Sequence, residues 1–328
     1  MLEFFRRNLF INSILLLPFC LLLRIKGIVK PVPYVLDKDL ASTVFINFYE
    51  WIGAPWLQGL VASLFIYIQA LIINRLAIKH RLSKELTPIP GLIFITISAV
   101  LPDLLTLSPQ LIGASFIIIA VSLIFETYNS NDASGQIFSS GFLIGLAGLF
   151  YFPYYYFFIF SFIGLIIMKS FTLKERIQHV IAWVLPTFLL LSFEYFVESS
   201  KMVIPDYFGP NLGLNNALFI QDVKSLFISI LIGLLILVFV FNYSNYNKQK
   251  PTATQKKISI LYWVLAYTGF VLSLVEKLEY PHIALFLFPS AIFIALSFLN
   301  FKNKIIAEIA FLIMLIFSVI VQFDLIQI

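Results

Sequence analysis

Residues 101–168 read LPDLLTLSPQLIGASFIIIAVSLIFETYNSNDASGQIFSSGFLIGLAGLFYFPYYYFFIFSFIGLIIM, and the architecture of the whole chain turns on them. An apolar run to Phe125 gives way to the polar link ETYNSNDASGQ. A second apolar run, GFLIGLAGLF, follows it, and a third begins after Tyr151–Phe152–Pro153. Hydrocarbon cannot satisfy freed peptide groups, so irregular backbone at membrane depth must be enclosed by protein or water. Long apolar runs joined by short polar links therefore predict an all-α bundle of membrane-crossing helices, broken at Pro153.

Composition extends this reading to the full chain. Of 328 residues, 60% are hydrophobic and 12% charged, with a mean hydropathy of +0.96. A soluble chain carries about 25% charged residues, so a soluble fold is excluded. The single cysteine, Cys20, excludes an intrachain disulfide and a cysteine-rich metal site. A net charge of +5 in a soluble protein would suggest nucleic acid. Here Lys and Arg occupy short loops, so they set orientation and no nucleic-acid partner is expected. The opening MLEFFRRNLFINSILLLPFCLLL resembles a signal peptide, but Arg24, Lys26 and Lys30 follow it without a small-residue cleavage site. It is read as an uncleaved first span.

At about 20 apolar residues per crossing, the chain divides into about eleven spans, at roughly 8–25, 54–77, 89–106, 110–127, 137–151, 153–169, 177–197, 223–243, 258–276, 282–299 and 304–323. The pair over 137–169 reads either as two crossings or as one broken span with an interfacial helix. Most of the Lys and Arg fall on one side if the N-terminus lies inside, and most acids on the other. This predicts a multi-pass membrane protein with its N-terminus inside and its C-terminus outside. The first outer loop contains KPVPYVLDKDLASTVFINFYEWIGAPW. Val44, Phe45, Phe48, Trp51 and Ile52 recur there at helical spacing, with Asn47 and Glu50 on another face. An amphipathic surface helix is predicted from near Leu40 to Gly53, capped by Asp39. The loops 198–222 and 244–257 are too short for a soluble domain, and the second of them, polar and basic, is read as solvated.

The chain has no phosphate-binding glycine loop, no nucleophile elbow and no His-Glu-Xaa-Xaa-His. What remains is Asp37 and Asp39 in the first outer loop and Asp103 at the outer end of the third span. Carboxylates from two loops meeting at a membrane-surface cavity could hold a divalent cation through oxygen, or one could act as a general base. Arg24, Lys26 and Lys30 stand nearby as phosphate-binding groups. A structural reading stands beside this one, in which Asp37 and Asp39 cap a helix and Asp103 ends a span. Glu194, near the outer boundary of its span, and His282, beside Glu276, Lys277, Glu279 and Tyr280, are further candidates. His80 and His179 are read as interfacial, and Glu308 as a helix-surface charge.

The outer loop with its acids, the surface helix, LPDLLTLSPQLIGASF and SSGFLIGLAGLFYFPYYYFF together resemble the start of the C-type glycosyltransferases. The likeness covers residues 1–170, and 171–328 add further transmembrane helices. It implies transfer of a sugar from a polyprenyl-phosphate carrier at the outer face, with Asp37 or Asp39 and Asp103 as the acids. QLIGASF stands where that family carries an acid after the Ser-Pro of its second outer loop. The segments FYFPYYYFF, KSFTLKERI and WVLPTFLLLSFEYF also resemble an uncharacterised integral membrane family of Bacteroidota, which implies location and fold rather than a reaction. Two other functions fit the same sequence: a non-catalytic scaffold bound to other membrane subunits of an envelope or export complex, and a transporter or flippase. The transporter would need broken helices in both halves, and one clear break is visible. Membrane lipids are expected partners in every case.

Overall fold

A computed structural model describes residues 2–7, 10–31, 43–130, 132–169, 171–196, 233, 235–248, 250–272, 280–301 and 303–322. Asp37, Asp39, the loop 198–222 and about half of the expected span 223–243 lie outside the described residues. Among those described, the chain is helical and holds no strand. The helices are α1 (Leu2–Phe5), α2 (Phe10–Leu23), α3 (Ile25–Val29), α4 (Thr43–Ile52), α5 (Pro55–Lys79), α6 (Ile89–Ala99), α7 (Pro109–Glu126), α8 (Ser134–Phe150), α9 (Phe157–Met168), α10 (Leu173–Phe196), α11 (Tyr243–Asn247), α12 (Thr252–Leu272), α13 (Ala284–Asn300) and α14 (Lys304–Gln322). The 3-10 turns Pro102–Leu105, Phe152–Tyr156 and Tyr280–Ile283 join some of them. Among the described residues, three helical stretches are long and apolar enough to cross a membrane: Pro55–Lys79, Pro109–Glu126 and Leu173–Phe193. Shorter apolar helices accompany them.

Local chemistry explains the boundaries. Pro55 and Pro109 open α5 and α7, where a missing N–H costs nothing, and the Ser108 side chain accepts from the Leu111 amide. The expected span 89–106 is helical only to Ala99, because Pro102 forces Leu101 into extended backbone and the chain continues as a 3-10 turn. The amphipathic helix is present as α4, followed by Gly53 at φ +67°. It buries Phe45 and Ile52 and exposes Asn47 and Glu50, but Trp51 is 82% exposed rather than packed. The loop expected to be solvated over 244–257 instead holds α11 and the start of α12. Tyr246 is buried there, its hydroxyl 2.8 Å from that of Ser297.

The break at Pro153 reverses the chain. Tyr154 lies against Gly113 near the start of α7, and Ile124 near its end lies against Gly164 of α9. So α9 runs beside α7 in the same direction, opposite to α8. Helix α10 then runs with α8: Gln178 donates to the Ser134 carbonyl at 3.0 Å, Gly141 touches His179 and Gly145 touches Trp183. A Cβ at Gly145 would overlap the Trp183 carbonyl, so this close approach requires glycine. Helix α12 runs back along α9, with Ile260 at Gly164 and the Tyr267 hydroxyl donating to the Pro153 carbonyl at 2.7 Å. The buried helices α6 and α13 pack on each other at the centre.

Candidate functional site

Alternating helices give the bundle two ends, and three predicted site positions gather at one of them. Arg24 occupies the corner between α2 and α3. Two glycines make that corner tight. A Cβ at Gly27 would lie 2.9 Å from Leu105, and one at Gly59 would overlap the Gly27 carbonyl. Helix α3 is thereby pressed against α5 and the 102–105 turn, and Arg24 is drawn inside to 0% exposure. Its Nη2 donates to the Leu104 carbonyl. Among the described residues, Nε and Nη1 have no hydrogen-bond partner. Burying a guanidinium costs several kcal/mol unless an anion and a full set of acceptors repay it. Among the described residues one neutral carbonyl is the acceptor that Arg24 finds.

Asp103 belongs to the turn whose next residue supplies that carbonyl; its side chain lies outside the described residues. The same turn packs on Tyr280–Ile283. His282, in that segment, is buried, with Nδ1 2.8 Å from the Tyr151 hydroxyl. Tyr151 meets Tyr154 edge to face, and Tyr154 donates to the Gln110 carbonyl at 3.1 Å. The tyrosines of the broken segment therefore tie together the adjoining ends of α7, α8, α9, α12 and α13. Of the other expected phosphate ligands, Lys26 is half-buried on α3 and Lys30 is exposed just after it. Glu194 sits in the last turn of α10, its side chain undescribed. Asp37 and Asp39 lie outside the described residues, and so does the cation site they were expected to form. Among the described residues no group of three His, Cys, Asp or Glu side chains is placed to hold a metal ion.

The histidines depart from expectation. His179 is fully buried rather than interfacial, with Nε2 2.8 Å from the Ser161 hydroxyl, Nδ1 3.0 Å from the Ile137 carbonyl and Phe158 stacked on its ring. His80 is buried at the end of α5, where Lys257 donates to Nδ1 at 3.1 Å and Phe125 meets the ring edge-on. Burial, with Lys257 and Lys79 nearby, pushes its pKa down to about 3. This second end is rich in cations. Lys79 pairs with Glu126 at 2.5 Å, and Lys250 donates to the Leu82 carbonyl at 2.7 Å. Burial, and then Lys84, lower Lys250 to about 8. Arg6 bonds both oxygens of Glu85 and holds that carboxyl below its ordinary range. Glu308 is more than a surface charge, since both its oxygens accept from the Leu2 amide.

Comparison of the chain with protein-family models, with curated proteins and with solved structures gives no match.

Proposed function

We propose that the chain is a multi-pass protein of a bacterial inner membrane, with about eleven crossings and its N-terminus inside, that transfers a sugar from a polyprenyl-phosphate carrier at its outer end. The observation that carries this reading is Arg24, fully buried with two donors unpartnered among the described residues, bonded to the turn that holds Asp103. Charged groups inside a membrane protein are costly and cluster where an ion or substrate is handled. In this mechanism Arg24, helped by Lys26 and Lys30, holds the carrier phosphate, and Asp103, with Asp37 or Asp39, takes the proton of the acceptor hydroxyl. His282, fixed by Tyr151, stands at the same end as a further acid–base group.

The test is binding of a short-chain polyprenyl phosphate to the purified protein. The wild type should bind, Arg24→Met should weaken binding at least about tenfold, and Asp103→Asn should bind normally but lose transfer. Retained binding in a folded Arg24→Met protein would overturn the assignment. The second reading, a non-catalytic scaffold, draws support from α10. That helix leaves Ile177, Ile181, Val184, Phe188 and Leu189 exposed while packing on α8 by its opposite side, a face suited to a partner helix.

A further inference from the structure

At the cation-rich end, α1, the start of α14 and the adjoining ends of α6 and α13 enclose a cleft of about 210 Å³. Its apolar lining includes Leu2, Ile89 and Phe298. Its rim is ionic, with Glu3, Arg6, Lys304 and Glu308, and it continues into a hollow bounded by Arg7. These charges are only partly engaged with one another. Arg6 commits Nε and Nη2 to Glu85 and also lines the cleft. Lys304 and Glu3 lie 3.5 Å apart, with side chains 65% and 77% exposed. Beside the cleft the helices turn apolar faces outward: Phe4 and Phe10 on α1 and α2, Ile305, Ile309 and Ile313 on α14.

We infer that this cleft binds the phosphoethanolamine head group of a membrane phospholipid, whose acyl chains lie along α2 and α14. Three features select that occupant. The rim carries both signs, with Arg6, Arg7 and Lys304 beside Glu3, so it offers a partner to each end of a zwitterion. A primary ammonium can donate hydrogen bonds to Glu3, which a quaternary choline cannot. The phosphate meets Arg6, Arg7 and Lys304, the usual arrangement for basic pockets between helices near a membrane surface. The inference rests on the membrane-spanning part of the reading above and is independent of the transferase chemistry.

Purified, delipidated protein in a neutral detergent would be melted with phosphatidylethanolamine, phosphatidylcholine or phosphatidylglycerol at equal mole fraction. Phosphatidylethanolamine alone should raise the thermal midpoint, by at least about 3 °C. The rise should vanish in the double variant Glu3→Gln, Lys304→Gln, which keeps its fold because that exposed pair contributes little. Equal shifts with all three lipids, a shift only with phosphatidylglycerol, or none would overturn the site. A shift with water-soluble glycerophosphoethanolamine would overturn a lipid as the occupant. Resistance of the protein to alkaline carbonate extraction reports the membrane reading separately.

Discussion

Single side chains at the two ends carry opposite electrostatic logic. Arg24 is a buried cation with one carbonyl acceptor among the described residues, whereas His80 is a neutral ring held among cations. The imidazole is faced by Lys257 and Lys79 from α12 and α5, by Phe125, and by Ser122, whose backbone favours protonation only weakly against burial. The folded pKa is depressed, so the unfolded chain binds the proton more readily. His80 therefore contributes its full share to stability above about pH 6.5, and that share is lost as pH falls toward about 3. The wild type should lose thermal stability over this window more steeply than His80→Gln, which has no proton to take up. Parallel melting curves for the two proteins from pH 7 to pH 4 would refute it. The sequence showed the types of these residues but not their surroundings. Arg24 and Leu104 are 80 positions apart, Tyr151 and His282 are 131 apart, and no local period encodes such meetings. His179 looked interfacial because its neighbours in sequence are charged, yet the helices beside it close over the ring.

Among the elements, most helices follow from apolar run length, which is why their positions were legible before any coordinates. The exceptions have identifiable causes. Pro102 ends α6 early, and Tyr246 anchors a short helix inside a stretch that composition alone marks as loop. The break at Tyr151–Tyr156 was legible, but its sense was not; a proline permits a kink or a reversal, and contacts with α7 and α12 decide for reversal. Helices α8 and α10 are held by glycine contact along Gly141 and Gly145. Gly145→Val should force them apart and cost about 1–3 kcal/mol, read as a fall in thermal midpoint. Gly135→Ala, in the first turn of the same helix with nothing within 4 Å, should be neutral or stabilise by up to about 1 kcal/mol. Equal effects would mean that the α8–α10 contact does not govern stability.

Taken whole, the proposed topology makes a statement about sidedness that the alternation of helices sharpens. Lys30 belongs to the Arg24 end, whereas Lys84, Lys248 and Lys256 are exposed at the other. A membrane-impermeant amine reagent should label Lys30 from the outer side of sealed vesicles, and Lys84, Lys248 and Lys256 only in inverted ones. Labelling of Lys30 and Lys84 from one side would refute an odd number of crossings between them; labelling of Lys84 and Lys256 from opposite sides would refute the reversal at Pro153. One buried atom widens what can be asked next. Cys20, the single thiol, has 0% exposure, with its Sγ 3.5 Å from the Ser63 carbonyl. Enclosed in this way, it is shielded from alkylating dyes and nitroxides, so the natural chain already serves as a thiol-silent background. A spin label or fluorophore pair can be installed at each end without first replacing a native residue, and opening of the Arg24 corner can then be followed as a change in distance.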